Sequence, residues 1–419
     1  MTTRSPVWHP FTQHGLEERI PLVVRGEGAA LFTADGRRII DAISSWWVTT
    51  HGHCHPRIMA AIATQTQNLD QVIFAGWTHQ GAEDLARRLV ALAPRPLDYV
   101  FYSDSGSTSV EVALKMALGY WANRGEPRHR IAVMRHSYHG DTFGGMSVGE
   151  RGVFTHAYRS LLFDVTTVPF PHAGAEQETL DALEAACKAG DLAAFIVEPL
   201  VLGSGGMLVY GPQVLAQMQA ICAKHAVLFI ADEVMTGWGR TGPLFACEAA
   251  GVVPDIMCLS KGLTGGSLPL AVTLATPAIY EAHYSTDRAR QFFHSSSYTA
   301  NPIACAAALA NLDVWRDEPV AERIASLIDR QSEGLAQWAR AGLLNPRQCG
   351  TIIAADFPAS GEAGYLSDIG PRLKQRFTEE GLLLRPLGNT IYAMPPYCID
   401  NADLAAVHDA VSNAARDWA

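Results

Sequence analysis

Lys261 and Asp232 are the two side chains whose types and positions could do chemistry together. Lys261 follows the apolar run Ile256–Leu259 after one serine, and Asp232 ends the apolar run 226–231. A lysine withdrawn from water has a lowered pKa, and its neutral amine attacks carbonyl groups. A nearby acid can hold a pyridine nitrogen protonated, so the pair has the minimum equipment for pyridoxal phosphate chemistry. Each residue alone is equally typical of a polar group that ends a strand.

The two residues can meet only if their strands end at the same edge of a sheet. Apolar runs alternate with helical patterns through the middle of the chain, which predicts an α/β fold with a mainly parallel sheet covered by helices on both faces. Open sheets of this kind bind ligands in a crevice at the carboxyl ends of their strands. The predicted strands are 99–102, 130–134, 194–197, 226–231, 256–259 and 270–275, with helices at 110–121 and 213–224 among others.

The two ends of the chain have a different pattern from the middle. Near the N-terminus, Ala34-Asp35-Gly36 separates two short strands, Ala30–Thr33 and Arg38–Asp41, as a hairpin turn would. From about residue 316 a long charged helix is followed by short strands and a closing helix at 402–418. We therefore predict a large domain over 53–315 and a smaller α+β domain built from 1–52 and 316–419.

Several other segments predict binding groups at strand ends. Gly106 and Ser107 lie between a predicted strand and a predicted helix, where free backbone N–H groups bind phosphate. The same pattern is also typical of an ordinary serine-rich cap at the start of a helix. Tyr138 could stack on a flat heterocycle, or it could be a core tyrosine. Glu198 ends a strand and could orient a ring hydroxyl, contribute to substrate specificity or simply be solvated. Arg385 could bind the carboxylate of a substrate through two parallel hydrogen bonds, although an arginine more commonly forms a salt bridge at the surface or between domains.

Two further motifs are less informative. Arg240 lies in the glycine-rich segment 237–242 and could bind a carboxylate, but the glycines favour a structural turn. His51, His53 and His55 alternate as zinc ligands on a strand would. Gly52 and Pro56 oppose a regular strand there, and no acidic ligand is suitably spaced, so we predict no metal site.

Composition excludes several classes of protein. The chain has 419 residues, 48% of them hydrophobic and 18% charged, which is typical of a globular enzyme with two domains. A net charge of −10 disfavours nucleic acid or an anionic membrane as partner. No apolar run approaches the roughly 20 residues that span a bilayer, and the N-terminal residues have no apolar signal core. Eight scattered cysteines without a CxxC pair indicate reduced thiols and a cytoplasmic location.

The motifs together resemble those of the class III pyridoxal-phosphate aminotransferases, which have fold type I. The resemblance covers nearly the whole chain. It implies that Lys261 carries pyridoxal phosphate, that Asp232 pairs with its ring nitrogen, and that Tyr138 is also part of the catalytic site. The motifs, in chain order, are Asp104-Ser105-Gly106-Ser107, Ser137-Tyr138-His139-Gly140-Asp141-Thr142, Ile230-Ala231-Asp232-Glu233-Val234, the segment 237–242, Ser260-Lys261-Gly262 and the segment 294–302.

Further segments resemble the branch of this family that acts on 8-amino-7-oxononanoate in biotin biosynthesis: Trp8-His9-Pro10-Phe11-Thr12-Gln13, Ser44-Ser45-Trp46-Trp47, Leu384-Arg385-Pro386-Leu387-Gly388 and Met394-Pro395-Pro396-Tyr397. The resemblance implies a homodimer with shared active sites. Gly106 and Ser107 would hold the phosphate together with Ser296 and Ser297 of the neighbouring subunit. Arg385 would hold the carboxylate of the keto acid. The implied substrate pocket is lined by Phe11, Trp46, Trp47, Tyr138, Asp141 and Ser295.

The amino donor stays open between S-adenosylmethionine and lysine. Members that use adenosylmethionine often have tyrosine at the position of Phe11 and Gly-Pro-Thr at 295–297, whereas phenylalanine also occurs in relatives that use lysine. The aromatic residues could still favour a sulfonium cation, or the tryptophans could pack at the dimer interface. The alternatives are an ω-amino acid or polyamine–pyruvate transaminase, an aminomutase, a zinc hydrolase and a non-catalytic cofactor-binding protein.

Overall fold

A computed structural model describes residues 5–18, 20–126, 128–358 and 367–418. The N-terminal segment 1–4 lies outside the described residues, as do 359–366 and 419 of the predicted C-terminal domain. Among the described residues, no helix combines the length and the apolar character that crossing a membrane requires.

The strands occupy three regions of the chain. In chain order they are β1 (Val23–Glu27), β2 (Ala30–Thr33), β3 (Arg38–Asp41), β4 (Tyr99–Ser103), β5 (Arg130–Met134), β6 (Thr166–Val168), β7 (Leu192–Val197), β8 (Val201–Leu202), β9 (Leu208–Val209), β10 (Leu228–Asp232), β11 (Ile256–Leu259), β12 (Ala271–Ala275), β13 (Leu344–Cys349), β14 (Ile352–Asp356), β15 (Leu382–Leu383) and β16 (Thr390–Ala393).

The α-helices lie between and around these strands. They are α1 (Ser44–Trp47), α2 (Pro56–Gln65), α3 (Gln80–Leu92), α4 (Gly106–Asn123), α5 (Phe143–Ser147), α6 (Glu176–Lys188), α7 (Pro212–Lys224), α8 (Ala246–Ala249), α9 (Pro277–His283), α10 (Pro302–Asp317), α11 (Val320–Arg340), α12 (Ile369–Glu379) and α13 (Asn401–Asp417). Of these, α1 is an irregular turn, because Ser45 and Trp46 have non-helical backbone angles.

A seven-stranded sheet in the order β4-β12-β11-β10-β7-β5-β6 forms the centre of the molecule. Its strands from β11 to β6 are parallel neighbours, and β12 has the reversed direction, antiparallel to both β11 and β4. Strands β7, β10 and β11 are buried along their whole length, as expected for strands with apolar residues on both faces. The predicted mainly parallel sheet and the α/β class are therefore confirmed.

One of the smaller sheets, β1-β2-β3-β15, joins the two ends of the chain. The predicted hairpin pairs β2 with β3, and β15 from the C-terminal region adds to β3 in parallel. A second small sheet has the order β13-β14-β16 and packs against α11. The domain bounds at residues 52 and 316 stay predictions.

Candidate active site

Lys261 starts a short 3₁₀ turn, Lys261–Thr264, just beyond the end of β11. Its φ is 44°, a left-handed conformation that costs a non-glycine residue about 1–3 kcal/mol. The surroundings hold this backbone in place, because buried Asn311 donates to the carbonyls of Gly262 and Leu263 at 3.0 Å each. The Lys261 amine lies 4.8 Å from the centre of the Trp47 ring. The backbone strain thus accompanies an amine that is fixed against an aromatic wall.

The protein changes the proton affinity of this amine. Loss of hydration lowers the pKa of Lys261 from 10.5 to about 8, although the Asp232 and Glu198 carboxylates oppose the shift. The buried Arg240 guanidinium adds a smaller lowering effect. A much larger fraction of this amine is therefore neutral near pH 8 than of an ordinary lysine, which is what attack on a carbonyl requires.

Asp232 ends β10, next to β11 in the sheet, and faces the same cavity as Lys261. Its Oδ2 lies 2.7 Å from Nδ1 of buried His139, and its Oδ1 accepts a hydrogen bond from the Val234 N–H at 3.1 Å. Within the described residues, Nε2 of His139 has no hydrogen-bond partner. The carboxylate is consequently oriented by a ring from the loop after β5, a partner that we did not predict.

The loop between β4 and α4 forms a cradle at the N-terminus of α4. The Ser105 side chain caps the helix by accepting from the Thr108 N–H, while the first N–H groups of an α-helix have no partner within the helix. Gly106 and Ser107 both line the cavity. A Cβ on Gly106 would lie 2.6 Å from Cγ1 of Val234, and one on Gly140 would lie 2.1 Å from the Ser107 hydroxyl oxygen. Only glycine fits these two positions.

Tyr138 and Glu198 form another side of the cavity. Buried Glu198 accepts from the backbone N–H groups of Tyr138 and Gly203 at 3.0 Å each. Burial raises the pKa of Glu198 to about 7, and burial with the nearby Asp141 carboxylate raises the pKa of Tyr138. Glu198 therefore holds the Tyr138 backbone in place, and it is not simply a solvated strand end.

Arg385 and Phe11 are absent from the cavity lining, but both contact Trp46, which is part of it. The Arg385 guanidinium lies 4.6 Å from the Trp46 ring centre and 5.3 Å from that of Phe11. Trp47 is buried and donates its indole N–H to the Tyr392 hydroxyl at 3.0 Å. Ser44, Ser45 and Trp47 all have positive φ angles, so the backbone of α1 is strained where it carries both tryptophans. Arg385 lies two residues beyond the end of β15.

Other predicted site residues lie farther from this cavity in the single chain. Ser295, Ser296 and Ser297 are absent from its lining, and the Ser296 hydroxyl donates to Asp104 at 2.9 Å. Asp141 is exposed, and its N–H donates to the Ser107 hydroxyl at 3.2 Å. Their predicted contacts with phosphate and substrate stay predictions.

Arg240 is absent from the lining of the cavity that contains Lys261. It is buried and donates to backbone carbonyls, to Pro395 at 3.0 Å and to Thr49 at 3.1 Å. Its guanidinium therefore joins the turn 237–242 to the segment that follows the tryptophans. Of our two interpretations of this motif, the structural one agrees with these contacts.

Two of the alternating histidines, His53 and His55, have separate acidic partners. His53 lies 2.8 Å from Asp41 and His55 lies 3.0 Å from Glu318, while burial lowers the pKa of His51 to about 3. Over the described ranges, no group of three or more histidine, cysteine, aspartate or glutamate side chains is arranged to hold a metal ion.

The cavity has a volume of about 160 Å³, and its chemistry fits pyridoxal phosphate. Lys261 supplies an amine of lowered pKa for the aldehyde, and Asp232 supplies a carboxylate for the ring nitrogen. The N-terminus of α4, where Gly106 has no side chain to occupy the space, can bind the phosphate. His139, whose buried Nε2 has no partner among the residues that the structure describes, also lines the cavity.

Comparison with known proteins identifies the family. The model of the aminotransferase class-III family matches residues 13–415. The chain belongs to the class III aminotransferases. These enzymes use pyridoxal phosphate, and the predicted family, fold type and cofactor are thereby confirmed.

Individual class III aminotransferases match the chain over almost its full length. A Synechococcus elongatus protein named adenosylmethionine-8-amino-7-oxononanoate aminotransferase is 48% identical, with 99% of each chain covered. The structure of the Methanocaldococcus jannaschii protein of the same name has a TM-score of 0.94 and 33% identity, covering 99% of this chain and 97% of the other. A pyridoxal-phosphate-bound amine transaminase from an uncultivated Pseudomonas species has a TM-score of 0.91 and 30% identity, with 100% of each chain covered.

The lowered pKa of Lys261 predicts how the apoprotein captures its cofactor. Because only the neutral amine attacks the aldehyde, we expect the rate constant for capture of pyridoxal phosphate to rise with pH and to level off above about 8. Stopped-flow absorbance across the pH range would measure it. A rate that keeps rising through the ordinary lysine value of 10.5 would contradict the depressed pKa.

Proposed function

We propose that this enzyme transfers an amino group to 8-amino-7-oxononanoate, giving 7,8-diaminononanoate in biotin biosynthesis, with S-adenosylmethionine as the donor and lysine as the alternative donor. The observation that carries the proposal is the full-length similarity to an enzyme of that name, at 48% identity. The contacts of Arg385 with Phe11 and Trp46 support it, because a guanidinium beside a residue of the cavity lining suits the carboxylate of the keto acid.

Pyridoxal phosphate, when bound, supplies an aldehyde that accepts the amino group and a ring that takes up electron density. We assign Lys261 to hold it covalently and then, once displaced by the donor amine, to move a proton from the donor's α-carbon. The lowered pKa of Lys261 suits both roles, because the amine must act as nucleophile, base and acid. We assign Asp232 to keep the ring nitrogen protonated and Gly106 and Ser107 to bind the phosphate.

The same residues then act on the second substrate. In our assignment, Arg385 holds the carboxylate of the keto acid while Lys261 returns a proton. Phe11, Trp46, Trp47 and Tyr138 exclude water around the reacting amine, and Asp141 and Ser295 are proposed to complete the substrate pocket. Donor and acceptor use one amine site in turn, so ping-pong kinetics are expected.

We further propose a cytoplasmic homodimer in which Ser296 and Ser297 reach the neighbouring subunit's phosphate. Apolar side chains that stay exposed in the single chain support a second copy: Trp77 is 67% exposed and Phe293 is 62% exposed. All eight cysteines are free thiols. The large domain over 53–315 and the small domain from both termini are part of the same proposal.

The test of the proposed function uses the purified holoenzyme and a substrate panel. We expect 8-amino-7-oxononanoate to yield 7,8-diaminononanoate, and we expect S-adenosylmethionine, added alone, to convert the cofactor to its pyridoxamine form. Parallel mixing with lysine identifies the donor if adenosylmethionine is inert. A polyamine or ω-amino acid as the preferred donor with pyruvate as acceptor, and no diaminononanoate, would contradict the proposal and favour the related transaminases.

Arg385 is expected to act on only one of the two substrates. Removing a charge-assisted hydrogen bond to a carboxylate should raise the KM for 8-amino-7-oxononanoate by about ten- to a hundredfold in Arg385→Ala. Single-turnover reaction with the amino donor should change much less. The matched control is exposed Arg316→Ala, which should alter neither value. An equal loss with donor and acceptor would contradict the assignment of Arg385 to the keto-acid carboxylate.

A further inference from the structure

A second cavity opens beside the one that contains Lys261. It has a volume of about 230 Å³, and its walls include His136, Asp141 and Phe154. Tyr138 and Gly140 line both cavities. A molecule whose amine lies near Lys261 could therefore extend past Tyr138 into this second cavity.

Aromatic rings connect the two cavities along one side. The ring of Phe11 lies 5.7 Å from that of Trp46 and 5.8 Å from that of Phe154, measured between ring centres. Trp46 lines the first cavity and Phe154 the second. All three rings are partly accessible, with 41% of Trp46, 45% of Phe11 and 40% of Phe154 exposed. A cation that passes between the cavities would thus lie against aromatic faces.

The turn that carries Phe154 is held in place. The Thr155 N–H donates to the Gly152 carbonyl at 3.1 Å, and the Thr155 hydroxyl accepts from the Gly152 N–H at 3.0 Å. The neighbouring Arg151 guanidinium donates to the carbonyls of Met146 and Phe163. Phe154 therefore lines the cavity from a turn whose backbone is held by hydrogen bonds.

The remaining walls suit a flat group. Several glycines line the second cavity, among them Gly149 and Gly205, so backbone rather than side chains forms that part of its wall. A Cβ on Gly205 would lie 2.4 Å from the His136 carbonyl, so a side chain cannot replace this glycine without a shift. Backbone polar groups beside an aromatic ring are the surroundings that a stacked nitrogen heterocycle uses.

We propose that the second cavity binds the purine nucleoside part of a sulfonium amino donor and that Phe154 is its specificity-determining residue. The inference rests on the proposed function, and it decides between the two donors. S-adenosylmethionine has a flat base to stack on Phe154 and a cationic sulfur to lie against Phe11 and Trp46. Lysine has neither group, so it would leave the second cavity unused.

The test measures binding separately from turnover. Adenosine, used as the probe, is titrated into the holoenzyme and into Phe154→Ala. Because base–aromatic stacking is lost, we expect adenosine to bind the variant at least about tenfold more weakly, with a similar rise in the KM for S-adenosylmethionine. The KM for 8-amino-7-oxononanoate should change by less than about twofold, because only one substrate uses this contact.

Two further variants make the result specific to the ring at position 154. Phe154→Tyr retains an aromatic face and should restore adenosine binding. Phe163→Ala removes a partly exposed phenylalanine of the same segment that lines neither cavity, and it should behave as the unaltered protein. Unchanged adenosine affinity in Phe154→Ala, or an equal rise in KM for both substrates, would overturn the inference. The inference would also be overturned if the enzyme took its amino group from lysine and bound no adenosine, even if it made diaminononanoate.

The two proposals fail in different ways. If neither donor yields diaminononanoate, the proposed function fails, and the adenosine titration still reports on the second cavity because it needs no turnover.

Discussion

Lys261→Ala is expected to reduce transamination by at least about a thousandfold, because the protein loses its covalent attachment to the cofactor and its proton carrier together. The purified variant should also lack the visible absorbance of a lysine-linked cofactor. Steady-state product assays and absorbance spectra measure the two effects. Cofactor held only through its phosphate and ring should dissociate on dialysis.

The matched control for this variant is Lys188→Ala. Lys188 lies on α6, its side chain is 64% exposed, and its contact with Glu184 is a surface ion pair of small energetic value. This control should retain full activity and colour. Activity of Lys261→Ala within about tenfold of the unaltered enzyme would mean that another group moves the proton.

Asp232→Asn is expected to retain the cofactor and lose most of the turnover. The amide has the shape of the carboxylate but no negative charge, so it cannot hold a protonated ring nitrogen beside it. Loss of one oriented electrostatic group typically lowers kcat by about a hundred- to a thousandfold. Because Lys261 is unaltered, the absorbance of the lysine-linked cofactor should persist, which separates the two roles.

A half-buried carboxylate at the other end of the sheet's strands is the control for Asp232. Asp255, directly before β11, accepts from the Phe229 N–H at 2.8 Å, and burial raises its pKa. Asp255→Asn should lower the thermal midpoint without changing kcat. Turnover of Asp232→Asn that matches this control would remove Asp232 from the proposed catalytic group.

The part of the site that the sequence predicts best consists of residues at the ends of strands. Lys261 and Asp232 follow apolar runs, and the parallel order of β10 and β11 brings both residues to one cavity. Gly106 and Ser107 follow the same logic between β4 and α4. In each case the local pattern predicts where the strand ends, and the order and direction of the strands bring the residues at those ends together.

Contacts between distant segments could not be predicted in this way. The partner of Asp232 is His139, which is 93 positions away, and no local signal links them. The positive φ angles of Ser44 and Trp47 come from packing around α1, since neither residue type favours that conformation. The row of rings between the two cavities brings Phe11, Trp46 and Phe154 together from three separate segments. The contacts of Arg240 could not be predicted either, because its guanidinium donates to the carbonyls of Thr49 and Pro395, which are far from it in the sequence.

The central claim is that one amine, Lys261, carries pyridoxal phosphate in the cavity it shares with Asp232. The most direct test is to reduce the holoenzyme with borohydride, digest it, and map the modified peptide by mass spectrometry. We expect a mass increase that corresponds to one reduced cofactor, on the peptide that contains Lys261. A cofactor attached to a different lysine, or a reconstituted protein that retains no reducible cofactor, would contradict it.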